Sequence, residues 1–215
     1  MQTYYFLSLH YSSYTYFPEV IKLIFDSINH SINKIKILQE IHLKVEQGKI
    51  CGIFGRNGSG KSILMDIGAG IYLPSSGRVS INGKTFKKPS RSERYRKIAY
   101  LPQNSFLPQD VKVKNLIKSF PSQASELINR TKLLNLKDEK ISSLSGGELR
   151  LLELLLIISL NRTYLILDEP FTGIEPLIIQ EMIDLILEQR QQKKGILITD
   201  QYYRYILKIS DIVYM

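Results

Sequence analysis

Ile50-Cys51-Gly52-Ile53-Phe54-Gly55-Arg56-Asn57-Gly58-Ser59-Gly60-Lys61-Ser62-Ile63 is the stretch that decides the fold. It opens on a short apolar run, crosses a loop with three glycines and enters an apolar-periodic segment over residues 61–71. The pattern predicts strand, loop and helix in that order. Gly55 to Ser62 fits G-x-x-x-x-G-K-[ST] at every fixed position. The spacing has a physical reason. Backbone N–H groups must turn inward around an anion, and glycine permits both the turn and the close approach. The helix that follows aims its unpaired donors and positive dipole end at the same charge. In such a loop Lys61 reaches the β and γ phosphates and the Ser62 hydroxyl is a magnesium ligand. Alone, the loop says nucleoside triphosphate and nothing about purpose.

Working outward, residues 164–167 form a wholly apolar strand ending in Asp168 and Glu169. Ligands of open parallel sheets sit outside the carboxyl ends of the strands, so this acid pair is expected beside the loop. Asp168 suits a magnesium ion, and Glu169 suits a water that must be oriented or deprotonated. Further strands are expected at 21–25, 41–45, 78–81, 98–101, 196–199 and 211–215. In the second, Ile41, Leu43 and Val45 point inward and His42 and Lys44 outward, which makes His42 a solvated strand residue. Asn82-Gly83 marks a hairpin turn. Pro176 opens an amphipathic helix to residue 191. Apolar strands alternating with helices indicate an α/β fold with a parallel sheet covered on both faces. The mostly helical stretch from about 110 to 160 interrupts that alternation like an inserted subdomain.

Composition sets bounds. The chain has 215 residues, 44% hydrophobic, enough for a sizeable core. Its single cysteine, Cys51, excludes an intrachain disulfide framework and reads as a small buried hydrophobe. No segment has the roughly 20 apolar residues that a bilayer demands. Residues 149–160 come nearest, but they contain Arg150 and Glu153 and read as a buried helix. Residues 1–18 lack a basic start and a continuous apolar stretch, so they read as an irregular extension rather than a signal peptide. The net charge of +9 collects around 84–97 and at Lys112, Lys114 and Lys118, where solvated faces are the plain reading.

Leu144-Ser145-Gly146-Gly147-Glu148 then opens a helix. A capping box accounts for Ser145 and Glu148. It leaves two glycines in a first turn, each costing up to roughly 1 kcal/mol of propensity. They make sense if a backbone or a phosphate must come close. The stretch resembles the LSGGQ signature of ATP-binding cassettes, with Glu148 in the last place. Tyr100-Leu101-Pro102-Gln103 resembles that family's Q-loop, and Phe106 to Leu116 the segment that faces the coupling helices of the membrane partner. Gly173-Ile174-Glu175-Pro176 resembles its D-loop, with Glu where Asp is usual.

The resemblance implies a P-loop NTPase core over residues 19–215 with a mostly parallel sheet, an N-terminal antiparallel β subdomain and a helical subdomain inserted at about 104–160. It implies an ATPase that uses ATP and magnesium and couples nucleotide-driven dimerisation to a transmembrane permease. The protein would lie in the cytoplasm, on the inner face of the cell membrane. Gly55, Arg56, Asn57, Gly58, Ser59, Gly60, Lys61, Ser62 and Ile63 would hold ATP. Ser62, Gln103 and Asp168 would hold the metal, with Glu169, Gln103 and Gln201 in the catalytic positions. The signature, Leu144 to Glu148, would close over the nucleotide of a second cassette, identical or a sister, in a two-fold dimer.

Four departures bear on turnover. Asp200 is followed by Gln201 where the family carries a histidine, and a glutamine can hydrogen-bond but not titrate. The aromatic that stacks on adenine is replaced by Ile32 or His30. Ile63 stands where a second hydroxyl is common, and the chain stops at Met215 inside an expected strand. Two alternatives therefore stay open: a nucleotide-gated module that hydrolyses poorly, and a soluble cassette outside transport. Nucleic acid is the least favoured partner, because the stretch from Gln103 to Ser145 is too short for the long coiled coil of DNA-repair relatives.

Overall fold

The computed structural model describes residues 22–85 and 96–215. The expected extension over residues 1–18, and most of the basic stretch over 84–97, lie outside the described residues. Two sheets organise the rest. The first is antiparallel, in the order β2-β1-β4-β5. β1 (Lys22–Ile32) and β2 (Ile35–Glu46) form a hairpin in which Leu23 faces Val45 and Phe25 faces Leu43. Asn33 and Lys34 turn it with φ of 49° and 66°, the positive pair that a two-residue hairpin needs. β4 (Ser76–Ile81) pairs along the other side of β1, and Asn82-Gly83, with φ of 50° and 72°, returns the chain into β5 (Lys84–Thr85).

The second sheet is parallel, in the order β6-β7-β8-β3-β9. Its strands are β3 (Ile50–Ile53), β6 (Ile98–Leu101), β7 (Tyr164–Asp168), β8 (Gly195–Thr199) and β9 (Ile212–Tyr214). The register matters for function. Ile53 and Asp168 both stand opposite Thr199, and Leu101 stands opposite Leu167. The carboxyl ends of the strands therefore finish level, and the loops leaving them meet at one edge.

Alternation along these strands feeds two cores. Tyr164, Ile166 and Leu197 join Leu23, Phe25, Val45, Cys51, Met65 and Ile67 between the sheets. Leu165, Leu167, Ile196 and Ile198 face the other way, onto the helices. Cys51 is fully buried, and burial pushes its thiol up to about 11, which fits a packing role.

The helices are α1 (Lys61–Ala69), α2 (Val113–Ile117), α3 (Gln123–Asn129), α4 (Gly146–Ser159), α5 (Pro176–Gln191) and α6 (Tyr203–Ile209). α2 to α4 fall between β6 and β7, joined by 3-10 turns at Lys132–Leu136 and Ile141–Ser143. Every residue from Arg150 to Ser159 is buried, so protein encloses this part of α4 on all sides, which fits its mostly apolar sequence. No helix among the described residues is long and apolar enough to cross a membrane. α6 is not foreseen in the sequence: its buried face is only Ile206 and Ile209, while Tyr203 and Leu207 are exposed.

Candidate functional site

The loop between β3 and α1 is built on glycines that serve different needs. Gly58 and Gly60 have φ of 77° and 91°, the left-handed region that side chains avoid. A Cβ on Gly60 would also come within 2.9 Å of Ile37 and Leu38, so β2 seals the back of the loop. α1 begins at Gly60 with no side-chain cap, which leaves its first N–H groups for an anion. Lys61 folds over the loop, its Nζ donating to the carbonyls of Gly55 at 2.8 Å and Arg56 at 3.1 Å. A cleft of about 390 Å³ opens here, with Lys61, Ser62 and Ile63 on one wall and Gln103, Glu169 and Gln201 on the other.

Asp168 ends β7 and Glu169 follows it into this cleft, and their surroundings differ. Asp168 is 1% exposed, and burial pushes its carboxyl up to about 6 against the opposing hydrogen bond from Ser62. Its Oδ1 is buried with no hydrogen-bond partner. An uncompensated buried carboxylate oxygen beside a serine hydroxyl is the donor set a hard divalent cation takes, with phosphate and water filling the remaining positions. No cluster of three or more His, Cys, Asp or Glu that could hold a metal occurs among the described residues.

Glu169 is instead saturated with donors. Its Oε2 accepts from Gln103 Nε2 at 3.0 Å, Gln201 Nε2 at 3.0 Å and Thr172 Oγ1 at 3.3 Å. Its φ is +47°, a conformation that a non-glycine residue holds only where its surroundings impose it. Thr172 Oγ1 also lies 3.3 Å from Asp200 Oδ1, and its one proton serves one carboxylate at a time. Asp200 is buried, and burial raises its carboxyl above the usual range. It accepts from the backbone N–H of Phe171 at 2.6 Å and of Tyr202 at 2.9 Å. Asp200 thus ties the loop after β7 to the loop after β8. The sequence reading brought Gln103, Glu169 and Gln201 together but missed the parts of Thr172, which bonds Glu169 within its own loop, and of Asp200, whose contacts cross between loops.

The signature stretch lies outside this cleft. Ser145 caps α4 through a full capping box, its Oγ accepting from Glu148 N at 3.3 Å and its N donating to Glu148 Oε2 at 2.8 Å. That second bond holds the Glu148 carboxyl below its usual range. The two glycines separate. A Cβ on Gly146 would meet nothing within 4 Å, whereas one on Gly147 would press to 2.3 Å from Ile178 Cδ1 of α5. Packing against α5 therefore accounts for Gly147, whereas Gly146 faces open space. At the positions where an adenine-stacking aromatic was sought, Ile32 is exposed, and His30 stacks on Tyr72 with ring centroids 6.4 Å apart.

These features, a phosphate loop on a parallel sheet with an acid pair at the neighbouring strand end, define a P-loop nucleotide-binding protein. A profile of the ABC transporter family matches residues 38–172, and the chain belongs to that family as an ATP-binding cassette. It is 28% identical over 203 residues to the lipopolysaccharide export system ATP-binding protein LptB of Haemophilus influenzae, covering 88% of this chain and 84% of that protein. It is 31% identical over 187 residues to an uncharacterised ABC transporter ATP-binding protein of Methanocaldococcus jannaschii, covering 82% of this chain and 66% of the relative. The fold is that of a nucleotide-free ATP-binding cassette from an ABC transporter, with a TM-score of 0.80 at 24% identity over 90% of this chain and 87% of the other. An ATP binding subunit of an ABC transporter superposes with a TM-score of 0.78 at 20% identity, over 89% and 83% of the two chains.

Proposed function

We propose that the chain binds ATP in the cleft, hydrolyses it through Glu169, and passes the resulting dimerisation cycle to a membrane permease. The observation that carries the reading is Glu169 itself, an acid held by Gln103 and Gln201 across the cleft from Lys61 and Ser62. Lys61 and the α1 terminus bind the phosphates. Glu169 orients the attacking water and takes its proton as the oxygen bonds to the γ-phosphorus and the bond to ADP breaks. Magnesium, when bound, supplies charge neutralisation at the phosphate oxygens, and Ser62, Asp168 and Gln103 are the residues that would hold it. The signature of a second cassette closes the site, which the open surface at Gly146 supports.

Docking has its own support. A groove of about 300 Å³ separates the core from the helical region, lined by Ile71, Tyr100, Phe106, Ile157 and Leu160. Phe106 and Ile71 are exposed there. Arg162 is the charged lining side chain among the described residues, and its Nε is buried without a hydrogen-bond partner. An apolar groove with a buried, unbonded guanidinium nitrogen suits a short helix of the permease, which supports a peripheral position beside that partner.

Gln201 favours a second reading, in which ATP closes the dimer but turnover is slow. ATP turnover by the purified chain beside its Glu169→Gln variant, with size followed in ATP and magnesium, separates the two. Turnover by the parent and an ATP-bound dimer of the variant are expected. A parent that dimerises without turnover, even with a permease, selects the second reading.

A further inference from the structure

α4 is apolar almost throughout, yet it buries two charges, with Arg150 7% and Glu153 1% exposed. Removing ions from water costs several kcal/mol each unless they are paired and their remaining atoms are bonded. Here both conditions hold. Across about one turn of the helix, Arg150 Nη1 donates to Glu153 Oε2 at 2.9 Å. The other arm of the fork, Nη2, donates to the carbonyl of Asp168 at 2.8 Å and reaches that of Glu169 at 3.4 Å. The other glutamate oxygen, Oε1, accepts from the backbone N–H of Phe106 at 3.2 Å. The pair therefore joins three segments distant in sequence: the loop after β6, the signature helix and the strand end that bears both acids.

The carbonyls that Arg150 engages belong to the two peptide units flanking the Glu169 Cα. Glu169 sits at φ +47°, and a residue in that region stays there only under outside restraint. Glu169 N is already fixed on Thr199 O at 2.9 Å. Arg150 restrains what remains of the local backbone, and so the direction in which the carboxylate leaves it. At the far end of the pair, Phe106 is 42% exposed in the groove wall. An apolar pair of the same volume would fill α4 without the desolvation, but could grip neither the carbonyls nor the Phe106 amide.

We propose that Arg150 is a positioning residue for Glu169, and that Glu153 links this restraint to Phe106, so that occupancy of the groove sets the aim of the catalytic carboxylate. The proposal rests on the hydrolysis and docking readings given above. Arg150→Lys keeps a charge for Glu153 but loses the fork that spans carboxylate and carbonyl. In the full chain its kcat is expected to fall at least about tenfold, because small misplacement of a catalytic group is costly. Its KM for ATP should stay within about twofold, because the phosphate loop is untouched. Amide exchange on the full chain gives a readout free of turnover. Glu153→Gln should speed exchange over residues 104–108 and, through Arg150, over 169–173. An unchanged kcat in Arg150→Lys, parallel losses of kcat, ATP binding and melting temperature, or exchange that rises over 104–108 alone would each overturn the proposal. An unmutated chain without turnover sinks the hydrolysis reading instead, and the exchange result then decides the linkage by itself.

Discussion

Two adjacent acids at the end of β7 are given opposite treatment. Glu169 receives its donors on Oε2, whereas Asp168 keeps a buried oxygen with no partner. The difference argues for different roles: Glu169 is aimed, and Asp168 waits for a cation. In magnesium-free buffer the ionised Asp168 is a destabilising group, since the Ser62 hydrogen bond offsets its burial only in part and Oδ1 has no partner. Asp168→Asn removes that charge while keeping an oxygen for Ser62, so the variant should melt higher than the parent in chelator at pH 8, by roughly 1–2 kcal/mol of stability. With ATP already saturating, adding magnesium should raise the parent further and leave the variant unmoved. A parent and variant that respond alike to magnesium would remove Asp168 from the metal site. Asp168 and Glu169 were legible because a strand end places them, and Gln103 and Gln201 only through the resemblance to the family's motifs. The restraint on Glu169 was not legible, because Thr172 reaches back to it within an irregular loop that Asp200 holds from the next one, and no periodic pattern encodes either contact.

At the level of elements, the glycines of α4 show how one motif can mix packing with function. Gly147 touches Ile178 of α5, and Gly146 faces open space. Gly147→Ala must displace the Ile178 Cδ1, the flexible end of a side chain, so a loss of about 1 kcal/mol is expected against the gain in helix propensity. Trimming the obstacle with Ile178→Val should recover most of it in the double variant. Gly146→Ala should instead gain roughly 0.5–1 kcal/mol. Denaturant unfolding of the parent, the three single variants and the double variant checks this, and losses that simply add in the double variant would refute the contact. Elements with strong signals were read closely: α5 spans Pro176–Gln191 as its proline and periodicity indicate, and β6 spans Ile98–Leu101. β1 runs to Ile32, well past the expected end at residue 25, because Ser27 (φ 53°) and register shifts break its alternation after Phe25. α6 was invisible because two buried residues make no period.

Across the whole molecule, the cleft and the signature face different surroundings within one chain. Glu169 and Lys61 share the cleft, while Ser145 and Gly146 are exposed at the start of α4 and line no part of it. If each site is completed by a second copy, a two-fold dimer holds two composite sites, each using one copy's loop and the other's signature. That arrangement has a consequence that a self-contained site lacks. Lys61→Ala removes the loop's cation, and Gly146→Arg blocks the signature at a position with room for the new side chain. Each variant alone should be inactive, since every site in its homodimer carries the defect. Mixed in equal amounts, about half of the dimers are heterodimers. Each of these has one site with both defects and one with neither. Turnover should therefore return to about a quarter of the parent value at saturating ATP, if sites act independently. The same mixture measured below the dimerisation threshold should stay silent. Activity that never returns on mixing would mean that loop and signature do not meet across two chains.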